Sequence, residues 1–187
     1  MTYLVFSFDV EDYVNPNAAD GILWSAELLR RAGVNILTVG INGKTVYGSH
    51  NIGIVADITP DEMDLNAMEM IILPGGLGGV ASIRACKAAM DAVSFAWEND
   101  RFVAAICAGP TVLADLGITD GKKATCYPGC EGQMGSANVA ANAASVRDGR
   151  VITGTSAGCA IPFGLKLIEA LKGQEEADRI AKQIVIR

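Results

Sequence analysis

Apolar runs and amphipathic stretches alternate along the whole chain, the pattern of a parallel sheet covered by helices on both faces. The opening run is apolar up to Phe8 and predicts a buried strand over roughly 3–8. Asn15-Pro16 is a helix start, since Asn caps well and Pro suits the first turn. Ala19, Ile22, Leu23, Ala26 and Leu29 follow at helical spacing, and Gly33 ends that helix. Asn35–Ile41 predicts the second strand, and Asn42-Gly43 is a hairpin signal ahead of Thr45-Val46-Tyr47. A further apolar stretch covers Ile52–Ala56, and Thr59-Pro60-Asp61-Glu62 marks a short helical turn.

Met70–Leu73 predicts a buried strand running into Pro74-Gly75-Gly76-Leu77-Gly78-Gly79. Ser82 is a cap for the next helix, with Ile83, Cys86, Met90, Val93 and Trp97 as its inner stripe and Arg84, Lys87, Asp91 and Glu98 in water. Phe102–Ile106 is another buried strand, followed by Cys107-Ala108-Gly109-Pro110 and a helix to about Leu116. Residues 122–150 read as short strands and turns, with Asp148-Gly149 a hairpin turn before the strand Val151-Ile152-Thr153. A helix near 157–172 carries Ile161, Leu165, Ile168 and Leu171 on one face, and a last helix spans about 174–183. No linker divides the sequence, so 1–187 is expected to be a single domain.

Composition narrows the function. Half of the 187 residues are hydrophobic and 19% are charged, which excludes a disordered chain. The formal charge is −6, and no Lys/Arg cluster exceeds two residues, so no nucleic-acid partner is expected. No uninterrupted apolar stretch reaches 18 residues, so no membrane partner is expected. The N-terminal run lacks a preceding Lys or Arg and is broken by Asp9, Glu11 and Asp12, unlike a signal peptide. Five cysteines, an odd count, suit reduced thiols and a cytoplasmic address better than a disulfide framework.

The strongest chemical constellation is Ala104-Ala105-Ile106-Cys107-Ala108-Gly109-Pro110. A buried strand ends, one Cys follows and a helix begins, which puts the sulfur at a nucleophile-elbow turn above the carboxyl end of the sheet. Gly109 is expected to allow the sharp bend, and the helix N-terminus to lower the thiol pKa. Leu73-Pro74-Gly75-Gly76 adds glycines whose N–H groups can approach an oxyanion. The Gly75–Gly79 run lacks the Lys and Ser/Thr of a phosphate loop. Ser7–Asp12 is similar to the first acidic motif of carbohydrate deacetylases, but that site needs paired histidines and the chain has one, His50. No metal or cofactor is therefore expected.

Together, Ile72–Gly76, Ala104–Pro110 and Lys122-Lys123-Ala124-Thr125-Cys126-Tyr127-Pro128-Gly129 resemble the ThiJ/PfpI superfamily, on the branch of the Parkinson-associated deglycase and its bacterial relatives. Leu29–Gly33 and the stretch from Ile152 to Leu171 share the likeness. The resemblance implies a flavodoxin-like three-layer α/β sandwich with a mainly parallel sheet, and a homodimer. It implies Cys107 as the reactive thiol, Gly75, Gly76 and Ala108 as backbone donors, and residues 126–127 beside the sulfur. It implies a small electrophilic carbonyl or an oxidant as the partner molecule, with glyoxalase- or deglycase-like chemistry of a cysteine hydrolase or lyase. The alternatives are a redox-tuned chaperone or binding module without efficient catalysis, and an intracellular cysteine peptidase.

Three positions depart from the family. Ala108 stands where the protease-like branch has His, and Tyr127 where glyoxalase-active relatives have His. The acidic residue that shares a proton with the cysteine in relatives falls on Glu11 or Asp12 in one register and beside Asp20 in the other. Cys126 and Cys130 flank Tyr127-Pro128-Gly129, and a thiol there could resolve an oxidised Cys107. Cys86 and Cys159 read as helix-packing residues.

Overall fold

Period-two burial builds the core. The structure, a computed structural model, describes the backbone of residues 1–6, 18–48 and 53–186, and the side chains of these except 4–6 and 18–23. In chain order the elements are β1 (Thr2–Phe6), α1 (Ala18–Arg31), β2 (Ile36–Gly40), β3 (Thr45–Tyr47), β4 (Gly53–Val55), β5 (Met70–Leu73), α2 (Leu77–Ala85) and α3 (Lys87–Glu98). There follow β6 (Phe102–Ile106), α4 (Pro110–Asp115), β7 (Lys123–Ala124), β8 (Asn138–Val139), β9 (Ser145–Asp148), β10 (Val151–Gly154), α5 (Ala160–Lys172) and α6 (Gln174–Gln183).

The main sheet runs in the order β2-β1-β5-β6-β10-β9. All its pairs are parallel except β9 against β10. The pairing Ile71↔Val103 and Ile72↔Ala104 sets the register at its centre. Ile71, Leu73, Val103, Ala105 and Val151 point to one face, where Val80 and Ile83 of α2, Ala89 to Ala96 of α3, and Val112 and Leu113 of α4 meet them. Met70, Ile72, Ala104, Ile106 and Ile152 point to the other, against Leu28 and Leu29 of α1, Phe163, Leu167 and Ile168 of α5, and Ile180 of α6. This is a flavodoxin-like three-layer sandwich, as the resemblance implied. Central strands covered on both faces read as unbroken apolar runs, which is why β5 and β6 fall within the predicted limits.

Four expectations are corrected. Asn42-Gly43 does not pair β2 with β3; β3 pairs with β4 instead, as Thr45↔Val55 through Tyr47↔Gly53. β1 occupies one edge of β2 and Ile58 the other, with Gly40 N–H donating to the Ile58 carbonyl at 2.9 Å and Ile58 N–H to the Thr38 carbonyl at 3.0 Å, and Gly40 packs too close to Gly43 for a side chain, with a Cβ falling 2.2 Å from the Gly43 carbonyl oxygen. Ser82 does not cap a helix: α2 starts at Leu77 after Gly76, and the helix breaks at Cys86, whose ψ of 100° is extended. The break rotates the buried stripe. α2 buries Gly79, Val80 and Ile83, whereas α3 buries Ala89, Ala92, Val93 and Ala96, and one straight helix cannot present both. Cys86, Met90 and Trp97 are consequently only half-buried. In α5 the buried row is Phe163, Gly164, Leu167 and Ile168, with Ile161, Leu165 and Leu171 at its flanks.

The likeness between expectation and structure is closest at the C-terminal half. Asp148-Gly149 turns β9 back into β10, with Gly149 at φ 60°, and α6 has the predicted bounds. Phe163 is fully buried between α5 and the sheet. Phe163→Ala is expected to cost about 3–5 kcal/mol, read as a lower urea midpoint with an unchanged slope in equilibrium unfolding.

Candidate active site

The carboxyl ends of β5 and β6 lie side by side, and their following residues cross at Cys107. Cys107 has φ 65°, a left-handed conformation that a side chain rarely adopts. Three backbone hydrogen bonds hold it there. Its N–H donates to the Gly154 carbonyl at 3.0 Å, its carbonyl accepts from Tyr127 N–H at 2.8 Å, and Gly109 N–H donates to the Ile106 carbonyl at 3.0 Å. The sharp turn expected of Gly109 thus belongs to Cys107 itself. Gly109 is helical, with φ −51°, and it is required for space: a Cβ there would sit 2.7 Å from the Leu73 carbonyl oxygen and 2.8 Å from that of Pro74.

Gly75 is crowded in the same way. An added Cβ would lie 2.5 Å from the Cys107 Cβ and 2.7 Å from the Ala108 nitrogen. Gly76 takes φ 84°, and the Gly76 and Ala108 N–H groups both act on the Cys107 sulfur in favour of its charged form. Two amide donors therefore converge on the sulfur of a half-buried residue.

The electrostatic balance differs from the expectation of a lowered pKa. Burial pushes the Cys107 thiol up, the Gly76 and Ala108 N–H groups draw it back only in part, and charge on Cys130 pushes it further up. The helix that follows, α4, has only six residues. The guanidinium of Arg84 is engaged elsewhere, with Nε donating to Asp115 at 2.6 Å and Nη2 to the Thr111 hydroxyl at 3.1 Å.

Residues 125–130 form the opposite wall. Tyr127 is exposed at its side chain and tied by its N–H to Cys107. Thr125 N–H donates to the Thr153 hydroxyl at 2.8 Å, and the Thr125 and Thr155 hydroxyls lie 2.8 Å apart, with Thr155 also donating to the Ala143 carbonyl. This threonine network, which fastens the segment to the end of β10, has only one sequence signal, the recurrence of Thr at 125, 153 and 155. Cys126 and Cys130 are buried. Burial, then the charges of Glu131, Cys130 and Cys107, push the Cys126 thiol up to about 11. Cys130 is raised by burial and Glu131, with Arg84 opposing. Cys86 and Cys159 are half-buried, and Cys159 Sγ accepts from the Ser156 hydroxyl at 3.6 Å.

The acidic candidates fall differently. Glu11 and Asp12 lie outside the described residues, as does His50. Asp20 is in the first turn of α1, with its side chain outside those described. Among the described residues no group of three or more His, Cys, Asp or Glu could hold a metal ion.

Two outcomes follow from this geometry. With its pKa raised, Cys107 holds less thiolate at neutral pH than a free thiol. Its labelling by iodoacetamide is expected to be slow at pH 7 and to rise with a midpoint above the ordinary value of about 8.5; a midpoint below that value contradicts the balance described. Because φ 65° strains any side chain, Cys107→Gly is expected to unfold at higher urea than Cys107→Ala, by about 1 kcal/mol.

The profile of the DJ-1/PfpI family matches residues 21–170. Protein dj-1beta of Drosophila melanogaster is 33% identical over 164 residues, covering 87% of this chain and 88% of that protein. Its crystal structure superposes with a TM-score of 0.86, covering 100% of this chain and 98% of that one, at 31% identity. A glutathione-independent glyoxalase of Caenorhabditis elegans, DJR-1.2, is 28% identical over 167 residues, covering 88% of each. Protein DJ-1 homolog A of Arabidopsis thaliana is 32% identical over 163 residues, 86% of this chain, and the chain spans only 42% of its length. With most of its length matched by the family profile and by these relatives, the chain belongs to the DJ-1/PfpI family.

Proposed function

We propose that the protein is a reactive-thiol protein that acts on small electrophilic carbonyls, and responds to oxidants, through Cys107. The observation that carries this reading is the pair of amide donors, Gly76 and Ala108, directed at the sulfur of a residue held in a left-handed turn. A turn of that conformation is maintained at a cost of about 1–3 kcal/mol, and a buried inert cysteine gains nothing from it. The similarity to a glutathione-independent glyoxalase supports the same chemistry.

On a 2-oxoaldehyde, the Cys107 sulfur adds to the aldehyde carbon to give a hemithioacetal. The thiol proton leaves as the carbon–sulfur bond forms, and the negative charge growing on oxygen falls within reach of the Gly76 and Ala108 N–H groups. A carboxylate, the part assigned to Glu11, Asp12 or Asp20, then takes the proton from the former aldehyde carbon to leave an enediol and returns it to the neighbouring carbon, so that the hemithioacetal becomes the thioester of a 2-hydroxy acid. Hydrolysis of the resulting thioester by water returns the thiol and releases a 2-hydroxy acid. The raised thiol pKa favours a second reading, a binding or chaperone module in which Cys107 tunes stability and turnover is slow. Among the described residues no helix is long and apolar enough to cross a membrane. The family resemblance also supports a homodimer, which sedimentation equilibrium tests.

The experiment is methylglyoxal consumption by the wild type and by Cys107→Ser, with Glu11→Gln, Asp12→Asn and Asp20→Asn compared alongside. Consumption is expected to fall to background in Cys107→Ser and by about 10²–10⁴-fold in the variant lacking the acting carboxylate. Turnover that survives Cys107→Ser removes the enzyme reading. Protection of a client protein that survives it, with no wild-type turnover, establishes the module.

A further inference from the structure

Cys107 is one of three thiols gathered at the same sheet edge. Cys126 and Cys130, 2% and 4% exposed, belong to the apolar cluster that includes Ala108, Leu113 and Met134. The hydrogen bond from Tyr127 N–H to the Cys107 carbonyl, 2.8 Å long, joins the two segments directly. Standard bond lengths then keep the Cα atoms of Cys107 and Cys126 within about 7–8 Å of each other. Disulfides span about 4.4–6.8 Å between Cα atoms, so a small shift closes the gap.

The closure asks for no more than about 1 Å of the segment carrying Cys126 and Cys130. Its turn closes through Cys130 N–H to the Tyr127 carbonyl at 2.9 Å, and a Cβ at Gly129 or Gly132 would meet nothing within 4 Å. The electrostatics agree with this proximity: charge on Cys107 acts on Cys126, and charge on Cys130 acts on Cys107. The environments of two of the thiols also differ in a useful way. Cys107 is partly open with two amide donors on its sulfur, whereas Cys126 is shut in the core and stays protonated at neutral pH. An oxidant therefore meets Cys107 first.

We propose that Cys126 is the resolving thiol of Cys107, capturing its sulfenic acid as an intramolecular disulfide. The oxidant is a hydroperoxide. The Cys107 thiolate attacks its terminal oxygen, the O–O bond breaks, and Cys107 becomes a sulfenic acid as the hydroperoxide is reduced to an alcohol or water. The Cys126 sulfur then attacks the Cys107 sulfur. The S–O bond breaks, and the departing hydroxide takes the Cys126 proton as water. The disulfide holds the oxidation at a reversible level and diverts Cys107 from the sulfinic acid.

This deepens the reading of Cys107 as the reactive thiol and rests on it. The test is peptide mapping by mass spectrometry, without reduction, after one to a few equivalents of hydrogen peroxide on the full chain. The wild type is expected to give a Cys107–Cys126 linked peptide that disappears on reduction. Cys126→Ser and Cys126→Ala are expected to lose it and to accumulate Cys107 sulfinic acid several-fold faster, while Cys130→Ser keeps it. Circular dichroism identifies whichever of the two Cys126 variants is folded for that comparison. Cys107 sulfinic acid without the link in the wild type overturns the proposal and leaves the reactive thiol standing. A link from Cys107 to Cys130 in the wild type overturns the assignment to Cys126. An unmodified Cys107 overturns the reactive-thiol reading beneath it.

Discussion

The site depends on one crowded crossing of backbones. Two adjacent parallel strands, β5 and β6, end at neighbouring positions, and their loops must pass each other within the width of a side chain. Only glycine fits at 75 and 109, where a Cβ would press on backbone atoms at 2.8 Å or less. With those two side chains removed, the residue between Ile106 and Ala108 turns left-handed. The strain sits on Cys107, and the ladder bond to Gly154 and the bond from Tyr127 keep it there. The sulfur's position is therefore a consequence of sheet topology, with the amide donors of Gly76 and Ala108 brought to it by the same turn.

Solvation sets how that sulfur behaves. Removing water from around a thiolate disfavours the charged form, and two neutral amide dipoles offset only part of that cost. A cation would offset more, but Arg84 is committed to Asp115 and Thr111. The resting state is accordingly a neutral thiol, and its reactivity is greatest toward molecules that bring their own polarised centre. A 2-oxoaldehyde does so through its adjacent carbonyl, and a hydroperoxide through its weak O–O bond.

Hydrophobic patterning made the frame legible. β5, β6 and β10 are covered on both faces, so their apolar runs could not be read as anything else, and Asp148-Gly149 allowed only a tight return. The elbow at Cys107 was visible for a related reason: a polar, nucleophilic residue between a buried strand and a Pro-initiated helix has few other uses. Features that depend on how elements meet in space were hidden. The break at Cys86 arises because α2 and α3 bury stripes facing different ways, and nothing in the local composition marks it. The raised pKa of Cys107 depends on burial by residues far apart in the chain, whereas the rule applied to the sequence, a helix N-terminus beside a thiol, weighed only the near ones. The role of Gly109 was misplaced because a positive φ and a steric gap call for the same residue.

The segment 123–130 turns these separate facts into one device. It is fastened at one point to the end of β10 through Thr125, Thr153 and Thr155, and at another to Cys107 through the Tyr127 amide. Between these anchors stands Cys126, and just beyond them Cys130, both facing an apolar cluster rather than water. These ties keep the segment beside Cys107. The 2.8 Å bond from Tyr127 and the threonine contacts link the turn at Cys107 to the end of β10. The Tyr127 side chain is exposed at the surface. The two readings of function therefore differ in the fate of the adduct, not in the architecture that forms it.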